Sequence, residues 1–430
     1  MNGGANRHAA FTERLRAASP AADPILDAFA RVPRHLFLPG VPLDAVYADD
    51  AVVTRDEGGV PTSSSSQPSL MARMLEQLDV RYGDRVLEIG AGTGYNAALL
   101  AALGAAVTSV ELQPEVAAAA VGHLRAAGVE VDEAAAAAAE DGQAVNSRGG
   151  PGRDREASGP ADLAGRDGTA VAPGTVLVVT GDGAAPPGGP YDRVIVTAGC
   201  WSLPATLVDA VAEGGILVAP LRVNGVELVL PLRREASALR GAGGIPCGFM
   251  PLRGSGDARP WRWPLGGGGF ATADTDLGVE GRGALDRLLA TPGRPVGDPL
   301  ELRDDEHVLD ALLWLGLQGD PLISLLHPSK EGRPAWTVAL DVLPASLLVI
   351  ELGSRYDRVG GAVLHGGEGA LRMCRAGMRA WRAAGAPGPG ALELRIEPSA
   401  DRAGWSLPFP AADGAATMTR GAHRWTLRYV

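Results

Sequence analysis

Val86-Leu87-Glu88-Ile89-Gly90-Ala91-Gly92-Thr93-Gly94-Tyr95 sets three glycines and one acid directly behind a short apolar run. A strand feeding such a turn presents bare backbone to a ligand. The spacing is GxGxG rather than the GxGxxG of dinucleotide-binding folds, and Glu88 stands two positions before the first glycine. With no pyrophosphate to hold, a helix N-terminus is not the main requirement. S-adenosylmethionine has a zwitterionic amino-acid end that needs a nearby carboxylate and open amides, and it fits this spacing best. NAD is the alternative. Glu111, at the end of the next apolar run, stands where an acid takes both ribose hydroxyls. A structural turn beside a surface acid would use the same residues, but the strand–turn–helix–strand context favours a cofactor.

The elements that must position this loop alternate along the chain. Residues 85–89, 106–111, 176–180, 193–197 and 216–219 read as short buried strands, and 96–103, 114–127 and 203–212 as helices. Strands separated by helices predict a parallel, doubly wound sheet. Upstream, residues 8–31 read as helix broken at Ser19-Pro20, and 32–39 as an extended turn between prolines. Residues 47–54 carry strand content at their end, and 61–68 read as a polar loop opening a helix. Residues 132–173 hold almost no large apolar side chains and predict a disordered insertion. A Gly-rich stretch covers 256–282 and reads as a linker. Beyond it, helices at 308–317 and 368–384 and strands at 347–351, 391–396 and 425–430 predict a further α+β domain over 283–430.

Composition narrows the function. A net charge of −11 gives no attractive field for phosphate backbones, which disfavours nucleic acid. Lys330 is the only lysine, so there is no GxxxxGK[ST] phosphate loop, and a Schiff base would rest on that residue alone. Seven histidines without HxxxH or HExxH spacing lend no support to a metal site. Cys200, Cys247 and Cys374 form no CxxC pair and read as buried free thiols in a reducing compartment. No apolar run reaches membrane-spanning length and no signal-peptide core is seen, so a cytoplasmic protein is expected. Seven of the eight tryptophans follow residue 260, and core packing is the default expectation for them.

Several segments together carry a family likeness. Val32-Pro33-Arg34-His35-Leu36-Phe37, Ser64-Ser65-Ser66-Gln67-Pro68 and Gly83-Asp84-Arg85-Val86-Leu87-Glu88-Ile89-Gly90 resemble the protein-L-isoaspartate O-methyltransferases. Gly181-Asp182-Gly183 and Tyr191-Asp192-Arg193-Val194-Ile195-Val196-Thr197-Ala198 do likewise, in family order. The resemblance implies a Rossmann-like methyltransferase fold over 1–255 with S-adenosyl-L-methionine as cofactor. Ser66 corresponds to the serine of the (T/S)xSxP loop, which meets the reacting carboxylate. Ser63, Ser64, Ser65, Glu88, Gly90, Ala91, Gly92 and Gly94 would line the cofactor, Glu111 would take its ribose, and Asp182 and Gly183 would approach the adenine. For Ser63–Ser66 taken alone, a polar linker capping the next helix is the simpler explanation.

The chain departs from the family in its long continuation. Thr197-Ala198-Gly199-Cys200-Trp201 and Cys247-Gly248-Phe249-Met250-Pro251-Leu252-Arg253-Gly254 resemble a branch associated with ribosomally made, modified peptides. In that branch, extended homologues in lanthipeptide, lasso-peptide or graspetide clusters methylate an aspartate, whose ester collapses to aspartimide. The resemblance therefore implies a carboxyl O-methyltransferase acting on peptide aspartate, with 283–430 recognising the substrate. Repair of isoaspartyl proteins is the alternative, and a non-catalytic peptide-binding homologue a further one.

Overall fold

The computed structural model describes residues 2–57, 60–132, 171–255, 261–266, 268–274, 276–318, 322–328, 334–342, 346–352, 359–399, 404–405, 409–410 and 415–430. The insertion read at 132–173 lies outside them apart from its ends. The chain forms two compact units. The first comprises Met1–Ala198, Ala205–Ala219 and Leu252–Gly256, and the second Gly199–Pro204, Pro220–Pro251 and Asp257–Val430.

In the first unit, Val211–Val223 (up to Ala219), Tyr191–Val196, Arg85–Ile89, Ala106–Glu111, Thr175–Thr180 and Glu130–Val131 lie side by side in that order, all parallel. Ala106–Glu111 is buried along its whole length, as helices on both faces of a parallel sheet require. The helix Tyr95–Ala102 is buried on nearly all sides, and its small and branched apolar residues suit that position. Register sets the strand ends level. Ile89 pairs with Val110 on one side and Val196 on the other, and Glu111 pairs with Thr180. Because Arg85–Ile89 has later strands on both sides, the chain reverses direction across the sheet at its carboxyl end, where open α/β sheets bind ligands.

Upstream of the sheet, the structure differs from the sequence reading in two places. Residues 34–37 form a tight 3₁₀ turn, Arg34–Phe37, rather than an extended one. The serine segment is a strand: Val52–Glu57 and Val60–Ser65 pair antiparallel, with Val53 opposite Ser64 and Val52 opposite Ser65. The following helix, Pro68–Leu78, has Gln67 at its N-cap with no side-chain bond to the helix amides, and Pro68 supplies the fixed φ of the first turn. The serines therefore do not cap it.

The second unit is built on antiparallel strands. Val226–Glu235, Ala238–Ala242, Leu392–Pro398, His423–Tyr429 and Ala416–Gly421 pair in succession. A seven-stranded sheet runs Trp261–Pro264, Phe270–Ala273, Leu322–Pro328, Pro334–Val342, Ser346–Leu352, Val359–Gly366, Arg294–Pro295. Helices Gly278–Ala290, Val308–Gly316 and Gly369–Ala383 complete it. Residues 256–282, read as linker, thus contain a strand pair and the start of a helix. Trp263, Leu265, Ala271 and Ala273 supply core side chains that outweigh the local glycine content. Residues 220–251, read as part of the catalytic domain, also join this unit. Asp274 shows why: it is fully buried, and one oxygen accepts from the Trp201 indole at 3.2 Å and Arg222 Nε at 2.9 Å. The other accepts from the Gly225 amide at 3.0 Å. A buried carboxylate must be paired, and these donors tie three separate stretches together.

Trp263, Trp381 and Trp425 are core residues. Trp261 packs against the core, Trp314 is half-buried beside Tyr429, and the Trp336 and Trp405 side chains lie outside the described residues. Cys200 and Cys374 are buried and outside any disulfide, whereas Cys247 is half-buried, with its thiol 3.6 Å from Glu227 Oε1. Among the described residues no helix is long and apolar enough to cross a membrane, and no group of three or more His, Cys, Asp or Glu is placed to hold a metal.

Candidate active site

At the carboxyl end of Arg85–Ile89 the backbone turns through Gly90, Gly92 and Gly94 at φ of +95°, +53° and +84°. Side chains other than glycine rarely adopt such values. A β-carbon would also be cramped at all three: on Gly90 it would sit 2.6 Å from Thr197 Oγ1, on Gly92 3.3 Å from the Ser64 carbonyl oxygen and on Gly94 3.2 Å from the Ala120 carbonyl oxygen. The Thr197 hydroxyl in turn donates to the carbonyls of Ile89 and Gly90, both at 2.9 Å, and so joins the two central strand ends. Ala91 is buried between these glycines.

Glu111 closes the loop from the neighbouring strand. Its carboxylate accepts from the Gly92 amide at 3.0 Å and the Gln113 amide at 3.1 Å. The Gln113 side chain reaches the Thr62 carbonyl at 3.3 Å, as does Arg253 Nη2 at 3.1 Å. Gln113 Oε1 and Thr62 Oγ1 are buried here without a partner, and buried polar atoms of this kind call for a polar ligand or water. On the far side, Asp182 accepts from the Ala184 amide at 2.9 Å and the Ser255 amide at 2.6 Å. Burial raises its carboxyl, but hydrogen bonding from the Ser255 side chain together with these two amides outweighs it and holds the group below the usual range. A β-carbon on Gly183 would strike Ile89.

Glu88 lies a layer below the loop, fully buried. Asn96 Nδ2 donates to one oxygen at 2.8 Å and the Ser109 hydroxyl to the other at 2.5 Å. Burial pushes its pKa up to about 7, although both hydrogen bonds pull the other way. A folded pKa above the unfolded value near ~4.3 means that Glu88 favours the fold below that value. This contribution is lost as pH rises through about 7. Glu88→Gln is therefore expected to raise the melting temperature of the cofactor-free protein relative to wild type at pH 8, with the gap shrinking towards pH 5. Calorimetry finding the same gap at both values would refute the buried-acid assignment.

The structure brings Gly90, Ala91, Gly92, Gly94, Glu111, Asp182 and Gly183 to one end of the sheet. The serines divide by strand alternation. Ser63 is buried and accepts from the Thr54 hydroxyl at 3.0 Å, and Ser65 is buried against Arg34. Ser64 turns its carbonyl towards Gly92, and Ser66 follows the strand's end, half-buried. Arg34, Asp49, Gln113, Thr197 and Arg253 were not singled out by the sequence, because their partners are mostly backbone atoms that carry no pattern. A glycine cradle, a strand-end acid and orphaned polar atoms fit S-adenosylmethionine. Glu111 and the glycine loop would hold it.

Comparison with known proteins agrees. Residues 6–255 match the family model described as Protein-L-isoaspartate(D-aspartate) O-methyltransferase. A protein-L-isoaspartate O-methyltransferase of Methanoculleus marisnigri is 34% identical over 247 residues, covering 56% of this chain and 88% of its own. Protein-L-isoaspartate O-methyltransferase 1 of Rhodopseudomonas palustris is 35% identical over 259 residues, covering 58% and 86%. A solved protein-L-isoaspartate O-methyltransferase aligns over 91% of this chain and 96% of its own, at 21% identity and a TM-score of 0.46. Since the family model spans more than half of the chain and coincides with the sheet, its glycine loop and the serine hairpin, the chain belongs to the protein-L-isoaspartate(D-aspartate) O-methyltransferase family of S-adenosylmethionine-dependent carboxyl methyltransferases.

Proposed function

We propose that this enzyme methyl-esterifies the side chain of an ordinary aspartate in a modified ribosomal peptide of the lanthipeptide, lasso-peptide or graspetide kind, in the cytoplasm, and that the ester then closes to aspartimide. The observation that carries the reading is the second folded unit: the two curated relatives above match 56% and 58% of this chain, and everything after residue 255 falls outside the family model.

When bound, S-adenosylmethionine supplies an electrophilic methyl on a sulfonium. The chain's own task is to place and dry the acceptor. An aspartate carboxylate is ionised at neutral pH, with a free pKa near ~3.9, so no strong base is required. Ser66 would donate a hydrogen bond to the carboxylate and hold one oxygen in line, without itself taking a proton. Glu111, Asp182 and the glycine loop fix the other partner. In the resulting ester, the backbone nitrogen of the next residue attacks the side-chain carbonyl, gives up its proton and expels methanol, leaving a five-membered succinimide. A constrained peptide holds that nitrogen close, which favours closure.

Mass spectrometry of modified and unmodified precursor peptides incubated with enzyme and cofactor tests the reading. The modified aspartyl peptide is expected to gain one methyl and then lose methanol, for a net loss of one water. Repair of L-isoaspartyl residues is the second reading, favoured by the names of the curated relatives. Efficient methylation of generic isoaspartyl peptides, with modified aspartyl peptides left untouched, would put repair in place of tailoring.

A further inference from the structure

Ser66 stands between two side chains that grip the same neighbouring segment from opposite sides. From the inside comes Arg34, with no exposed surface. Its Nη1 donates to the carbonyls of Val46 at 3.0 Å and Ala48 at 3.3 Å. Its Nη2 donates to the carbonyls of Asp50 at 3.2 Å, Ser65 at 3.3 Å and Ser66 at 3.0 Å, and reaches Ser65 Oγ at 3.4 Å. From the outside comes Asp49, which is exposed. One oxygen accepts the Ser69 amide at 2.9 Å and the other the Gln67 side-chain amide at 3.0 Å. The residues before and after Ser66 are thus laced to residues 46–50 on both faces of the turn.

This arrangement is costly unless it does something. A buried guanidinium loses its hydration, and here its acceptors are neutral carbonyls and a hydroxyl rather than a carboxylate. The guanidinium spreads its donors over two terminal nitrogens and so reaches Val46 and Ala48 as well as Asp50, Ser65 and Ser66, a span that a lysine ammonium with three donors on one atom covers less completely. At the start of the helix Pro68–Leu78, Pro68 has no amide to satisfy and Asp49 takes the Ser69 amide, so Asp49 also serves that first turn. What the clamp does determine is the path of the main chain at Ser65 and Ser66, and hence where the Ser66 hydroxyl points.

We infer that Arg34 and Asp49 are positioning residues for Ser66, holding its hydroxyl at the acceptor carboxylate. The inference rests on the reading of Ser66 given above. A loosened turn leaves the hydroxyl present but misdirected, so the loss falls on the rate of methyl transfer and not on cofactor affinity.

Single-turnover methyl transfer tests it, with an isoaspartyl peptide or the modified aspartyl peptide, whichever the wild type turns over. Asp49→Ala and Arg34→Lys are each expected to slow transfer by about tenfold, the rate equivalent of one hydrogen bond, with S-adenosylhomocysteine affinity unchanged. Ser66→Ala should slow it by a similar factor. In the Ser66→Ala background, Asp49→Ala should cost nothing more, because the group it positions is gone. Should Arg34→Lys fail to fold, the surface variant Asp49→Ala completes the cycle alone. Wild-type rates in folded Asp49→Ala, or effects that multiply with Ser66→Ala, overturn the inference. A wild-type rate in Ser66→Ala alone sinks instead the reading of Ser66 on which it rests.

Discussion

Gly92→Val is expected to abolish S-adenosylmethionine binding, weakening it by at least ~100-fold, or about 3 kcal/mol. Two costs combine at this position. The backbone holds φ at +53°, a left-handed conformation that a β-branched residue adopts only under strain of ~1–2 kcal/mol or more. In addition, the new β-carbon would lie 3.3 Å from the Ser64 carbonyl, before its two methyls are counted. Relief requires the turn to move, and that breaks the 3.0 Å bond from the Gly92 amide to Glu111. The strand Arg85–Ile89 and helix Tyr95–Ala102 keep their own pairing and burial, so the fold should survive. Isothermal calorimetry with S-adenosylhomocysteine reads the result directly. Wild-type affinity in the folded variant would remove the glycine loop from the cofactor site.

Trp381→Ala should destabilise the second unit by ~3–5 kcal/mol, a large part of the stability of an ordinary domain. The indole is 1% exposed on the buried face of Gly369–Ala383, alongside Ala370, Leu371, Cys374 and Met378. Its Nε1–H donates to the Pro387 carbonyl at 3.0 Å, so truncation opens a cavity and also strips that carbonyl of its donor. Urea unfolding measures the loss. The same variant examines the functional proposal, because its damage begins far along the chain from the glycine loop. If the second unit recognises the modified peptide, methylation of that peptide should fall sharply at temperatures where S-adenosylhomocysteine still binds. Undiminished methylation with the second unit unfolded would show that recognition lies elsewhere. Cutting the chain at residue 283 is a poorer experiment, since Leu239 pairs with Ile396 and the strand Ala238–Ala242 would lose its neighbour.

By itself the sequence determined the parallel sheet and the glycine turn at its carboxyl end. Residues 85–89 and 106–111 were legible because strands buried on both faces are short, continuous apolar runs, and because glycine is the residue that tolerates the backbone angles found at 90, 92 and 94. Glu111 was legible because it ends such a run, whereas Asp182 was marked only by the family resemblance of Gly181-Asp182-Gly183. All of these are local signals. Tertiary structure alone decided the rest. Ser63, Ser64, Ser65 and Ser66 are identical in chemistry, and only the pairing of 52–57 with 60–65 determines which hydroxyls turn inward. Arg34 sits in a recognisable motif, yet its partners are backbone carbonyls, which every residue possesses and none advertises. The second unit gathers 199–204 and 220–251 with residues beyond 257 because Asp274 and the paired strands can be satisfied only by partners distant in sequence. Glycine content at 256–282 suggested a linker, but the burial of Trp263, Ala271 and Ala273 prevailed, because a flexible backbone costs entropy that a shared core can offset.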